Sequence, residues 1–79
     1  MIDFNDRNSE PVFVGDTITI IQHQNHIFNN QKAIIGWDEE NGMFTFSCID
    51  KQLKGRNDFY GVYEFVRTLS GEYTNKVKR

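Results

Sequence analysis

The sequence predicts an all-β fold: a small SH3-like barrel or strongly bent antiparallel sheet of about five strands. Three observations point there. Helix formers are scarce, with one Ala (Ala33) and two Leu (Leu53 and Leu69) against many Ile, Val, Thr, Phe and Tyr. Short segments alternate between apolar and polar residues and are broken by Gly-containing turns. With 79 residues, the chain has room for one modest core and no second full-size sheet, so closing or bending a single sheet is the way to protect its edges.

Taken in order, residues 1–11 are polar and rich in Asn and Asp, the composition of a loosely held terminus. One β domain is expected over 12–75. Pro11 opens a short extended segment, Val12-Phe13-Val14, that meets a turn at Gly15-Asp16. Thr17-Ile18-Thr19-Ile20 then alternates as a half-buried strand should, with Ile18 and Ile20 inward. His23 to His26 and Asn29 to Gln31 read as polar connections flanking Ile27-Phe28, an apolar anchor or a brief strand.

Lys32 to Trp37 is apolar on both faces and suits a central strand. Asp38-Glu39-Glu40-Asn41-Gly42 is the clearest reversal, because Asn-Gly supplies positive-φ positions between two strand-like runs. Met43 to Ile49 alternates again and places Phe44, Phe46 and Cys48 on one face. Lys51 to Asp58 reads as a basic loop, and Phe59 to Gly61 as a short helical turn capped by Asp58. Val62 to Thr68 is expected as a strand from its β-branched and aromatic content, with a helix over 58–66 as the competing reading. Glu72-Tyr73-Thr74 closes the sheet, and residues 76–79 form a basic tail. The predicted core is Ile20, Ile35, Phe44, Phe46 and Phe65.

Composition narrows the function classes. Cys48 is the only thiol, which excludes an internal disulfide and a cysteine-rich zinc site, and favours a reducing compartment. No apolar run approaches the roughly 20 residues of a membrane span. The start, Met1 to Asp6, is acidic where a signal peptide is basic, so a cytoplasmic location with no membrane partner is expected.

Val14 to Ile20, Ala33 to Phe44 and Tyr63 to Thr68 together resemble the C-terminal module of YopX-like proteins of phages and prophages. The likeness spans roughly residues 12 to 75. It implies an SH3-like β fold and a mobile-element origin, and it brings no catalytic residues.

The chemistry-bearing residues form no enzyme-like pattern. His23 and His26 stand three apart, which on a strand or turn sends the rings to different faces, so no metal site is expected. Cys48 alternates with two Phe residues and reads as a small core hydrophobe. Ser47 and Ser70 lack a nucleophile-elbow context. The expectation is therefore no catalysis, no cofactor and no metal.

Charge is unevenly distributed. Residues 1–50 hold eight acids and two bases, net −6, whereas residues 51–79 hold seven bases and three acids, net +4. Two function classes follow from this split. A protein-interaction module, a phage accessory or host-takeover factor, would bind a host or phage protein through Trp37, Asp38, Glu39 and Glu40; Trp37 reads either as the cap of the barrel end or as an exposed anchor. A nucleic-acid-binding barrel would instead use Lys51, Lys54 and Arg56 with Tyr60 as a stacking ring, helped by the basic tail.

Overall fold

A computed structural model describes residues 4–78. Five strands, β1 (Thr17–Ile20), β2 (Gln31–Asp38), β3 (Met43–Cys48), β4 (Asn57–Tyr60) and β5 (Thr74–Lys76), form one antiparallel sheet in the order β4-β3-β2-β1-β5. The last strand returns to pair with the first, Ile18 opposite Lys76 and Ile20 opposite Thr74. The predicted all-β, five-stranded sheet is the fold found, with one short helix, α1 (Val62–Leu69), between β4 and β5.

Alternation sets the inner face. Ile18, Ile20, Ala33, Ile35, Phe46, Cys48 and Tyr60 are buried there, and Phe65 and Leu69 of α1 close over them. Four of the five predicted core residues are buried; Phe44 is half-buried, packed against the core between Trp37 and Phe65. The β2–β3 hairpin has the expected register, Trp37 opposite Phe44, but its loop is residues 39–42 and only Gly42 of the Asn41-Gly42 pair takes a positive φ, +62°.

Three segments differ from expectation. The closing strand expected at 72–74 is a 3-10 turn, Gly71–Tyr73, and the strand follows it as β5, which takes in Lys76 of the expected tail. The expected strand over 62–68 is helix α1. Gly61 is its N-cap and so lies outside the helix, and the spacing of Phe65 and Leu69 buries one stripe on the sheet. That burial outweighs weak intrinsic propensity. The expected loop and helical turn over 57–60 is strand β4, held by β3 with Phe46 opposite Asp58 and Phe44 opposite Tyr60. Asn57 and Asp58 are poor strand formers, and the ladder overrides them.

The start of the chain is also better held than its composition suggests. Phe4 is buried and packs on Phe65 with ring centroids 5.0 Å apart. Asp6 keeps 3% of its surface exposed. Its Oδ1 accepts from the N–H groups of Asn8 and Glu10, both at 2.9 Å, and its Oδ2 from the N–H of Lys76 at 2.8 Å. Burial opposes the charged form of this carboxyl, and the three backbone donors outweigh it, holding its pKa below the ordinary value. The carboxylate thus ties residues 6–10 to the edge of β5. The rest of the expected loose start, residues 1–3, and Arg79 of the expected tail lie outside the described residues.

Candidate functional site

At the hairpin end of the sheet, β2 delivers Trp37 into a row with Phe44 of β3 and Tyr60 of β4. Its ring meets Phe44 edge-on at 4.7 Å, and Phe44 stacks on Phe65 at 4.8 Å, so an aromatic chain runs from surface to core. Trp37 remains 42% exposed. One edge of the ring packs on Phe44 and the other faces outward. Phe13 and Val14 are also exposed, but the Phe13 ring lies under Lys76 Nζ of β5, 5.6 Å from its centroid, with β1 between β5 and the strand that carries Trp37.

The three acids beside Trp37 do different work. Asp38 is consumed by the turn: Oδ1 accepts from the N–H of Glu40 at 3.1 Å and Oδ2 from the side-chain amide of Asn41 at 2.8 Å. The Asn41 amide chiefly holds the Asp38 carboxyl below its ordinary pKa, with burial working the other way and backbone donors adding to it. Glu39 and Glu40 are exposed and carry the free charge of the tip.

The basic candidates collect at the opposite end. Lys51, Lys54 and Arg56 are exposed on a loop built from a 3-10 turn, Lys51–Leu53, and from Gly55 at φ +84°. The two ion pairs among the described residues are Lys76–Asp16 at 3.2 Å and Lys78–Glu10 at 2.6 Å, so the loop cations pair with no described carboxylate. The expected basic tail is a different matter. Its Lys76 and Lys78 are tied back to acids of the first sixteen residues, and Lys76 also bonds the Pro11 carbonyl at 3.0 Å.

Tyr60 is not a stacking platform. Strand alternation turns it inward, 4% exposed, and turns Phe59 outward, 49% exposed. The Tyr60 hydroxyl donates to Asp58 Oδ2 at 2.6 Å and lies 2.6 Å from His23 Nε2. His23 Nδ1 accepts from the N–H of Asn25 at 2.9 Å, so the neutral ring carries its proton on Nε2 and donates it to Tyr60. Burial above all, then the bond to Asp58, pushes the Tyr60 phenol far above its ordinary pKa. Burial likewise lowers the pKa of His23, against the attraction of Asp58.

His23 was expected in a polar connection and is instead 8% exposed, with Phe28 edge-on at 5.1 Å. His26 is exposed, so the two histidines of the H-x-x-H part company. The His23–Tyr60–Asp58 chain joins residues 37 positions apart, and nothing in their spacing announces it. Beside it lies a polar cleft of about 460 Å³ lined by Gln22, Gln24, His26, Glu64 and Arg67. His23 meets this cleft with both ring nitrogens already bonded, and so offers no free base or donor there.

Cys48 is buried as expected, and burial first, then the charge of Asp50, raises its thiol pKa while Arg56 opposes. Among the described residues no group of three or more His, Cys, Asp or Glu could hold a metal ion, and no helix is long and apolar enough to cross a membrane. No family model, curated protein or solved structure matches the chain.

Proposed function

We propose that the chain is a non-catalytic protein-interaction module, a cytoplasmic phage or prophage accessory factor that binds a host protein through the hairpin end of its sheet. One observation carries this reading. Trp37 is 42% exposed yet backed by Phe44 and Phe65, and it stands beside two carboxylates, Glu39 and Glu40, left free because Asp38 is spent on the turn. A rigid, half-exposed Trp loses little side-chain entropy on docking, the property that makes Trp a frequent anchor of interfaces. Glu39 and Glu40 suit a basic rim on the partner.

The second reading, nucleic-acid binding, rests on the exposed cations Lys51, Lys54 and Arg56. It has lost Tyr60 as a stacking ring and most of the tail charge to internal contacts. The test is co-purification from host cells followed by mass spectrometry. A single protein retained by the wild type and by a variant reversing Lys51, Lys54 and Arg56, lost on Trp37→Ala and captured more slowly on Glu39→Lys/Glu40→Lys, supports the interaction module. Single-stranded nucleic acid bound more tightly than about micromolar at physiological salt, and lost in the loop variant alone, overturns it.

A further inference from the structure

The two edges of the sheet are treated differently. The outer side of β5 is covered by the start of the chain: Arg7 N–H bonds the Thr74 carbonyl at 2.9 Å, Asp6 takes the Lys76 N–H, and Asn8 reaches Asn75 at 3.0 Å. At the other edge, Cys48 N–H bonds the Arg56 carbonyl at 2.9 Å, so by antiparallel alternation residues 58 and 60 face β3. The main-chain groups of Asn57 and Phe59 therefore point away from the sheet. Among the described residues their hydrogen-bonding contact is a long one, Phe59 N–H to Asp58 Oδ1 at 3.3 Å. An uncovered strand with a half-exposed Phe is a template for pairing.

Charge selects the occupant. β4 begins beside Lys51, Lys54 and Arg56 and ends beside Tyr63, 89% exposed, and Glu64 in the first turn of α1. One edge thus runs from three exposed cations to the exposed carboxylate of Glu64, with Arg67 one turn further along α1, and the same edge reversed sets its cations toward that carboxylate. We infer that β4 pairs with β4 of a second copy, antiparallel, about a two-fold axis at Phe59. That register sets the two Phe59 rings side by side and brings Lys54 of each copy toward Glu64 of the other. An axis at Asp58 would oppose two carboxylates, which disfavours it. The interface is isologous, so it closes at two copies and builds no filament. It is independent of the Trp37 surface, which lies two strands away.

Sedimentation velocity on the full chain tests this. The wild type should show a concentration-dependent monomer–dimer equilibrium that shifts toward monomer as salt rises. Lys54→Glu alone and Glu64→Lys alone should each be monomeric, because each homodimer then opposes like charges. An equimolar mixture of the two should recover the dimer, since both cross-contacts are attractive again. Recovery cannot come from a misfolded variant, so it separates lost pairing from lost fold. Amide exchange of Asn57 and Phe59 should slow in the wild-type dimer. A wild type still monomeric at about 1 mM, or a dimer indifferent to both single substitutions, overturns the inference.

Discussion

Asp6→Asn probes the tie between the start of the chain and β5. Asn is isosteric with Asp but offers one acceptor oxygen. With that oxygen toward Asn8 and Glu10, the new amide N–H₂ confronts the Lys76 N–H, donor against donor; the flipped side chain opposes two donors instead. A hydrogen bond to a charged acceptor contributes about 1.5–3 kcal/mol. Losing one and weakening two should therefore cost about 2–3 kcal/mol, discounted toward the lower end because these donors can recover water when the segment opens. Against a total stability of roughly 5 kcal/mol for a domain this small, that is a large fraction. Urea unfolding at two pH values provides the assay. The folded-state pKa of Asp6 is lowered, so its contribution is complete above the unfolded value and fades as pH falls below about 4. The wild type should lose stability on acidification, the variant should lose less, and the gap between them should narrow. Equal stability at neutral pH, or a gap that stays constant into acid, would refute the carboxylate's role.

Phe46→Ala removes a ring with no exposed surface that touches Phe28, His23 and Tyr60, and should cost about 3–5 kcal/mol; dispersed amide spectra for this variant at room temperature would contradict that packing. Gly42→Val puts a β-branched residue at φ +62° with open space around its Cβ, so the cost is backbone strain alone, about 1–2 kcal/mol, read as a lower melting temperature. Tyr60→Phe strands Asp58 and His23 and should cost about 1–3 kcal/mol; an unchanged denaturation midpoint would show that the relay contributes nothing. Because burial lowers the pKa of His23, the unfolded chain takes up a proton first. Stability should therefore fall as pH drops below about 6.5, and His23→Gln should flatten that slope.

How much of this was legible in the sequence depends on the range over which each signal acts. Period-two alternation is local, and it placed Ile18, Ile20, Phe46 and Cys48 inward correctly. Asn41-Gly42 is a two-residue signal, and the hairpin follows it. Val62 to Leu69 misled because propensity is weaker than the burial of two large side chains, and its helical spacing of Phe65 and Leu69 was the signal to weigh more heavily. Asp6, His23 and Tyr60 were misjudged for another reason: beside its near neighbours each has one partner far along the chain, Lys76 for Asp6 at 70 positions and His23 and Tyr60 for each other at 37, and no window along the chain contains both ends of such a bond. Polar composition near residue 6 looked loose because a carboxylate satisfied by backbone donors leaves no trace in residue type.

The uneven charge acquires its meaning only in three dimensions. Along the chain the split is −6 before residue 51 and +4 after it, and that alone suggested an acidic half facing a basic half. The fold cancels part of it by pairing Lys76 with Asp16 and Lys78 with Glu10, across the junction of the two chain ends. Further acids are spent as hydrogen-bond acceptors, Asp6 and Asp38 for turns, Asp58 for Tyr60 and Asp50 for the Lys32 N–H at 2.8 Å. Among the residues first singled out, the exposed charges left over are Glu39 and Glu40 at the hairpin end and Lys51, Lys54 and Arg56 at the other. β3 separates these sets by six residues, about 20 Å at strand rise and well beyond a physiological Debye length of about 8 Å. At that distance neither screens the other, so each end presents its own sign to a partner and reversing one should leave the other's contacts intact.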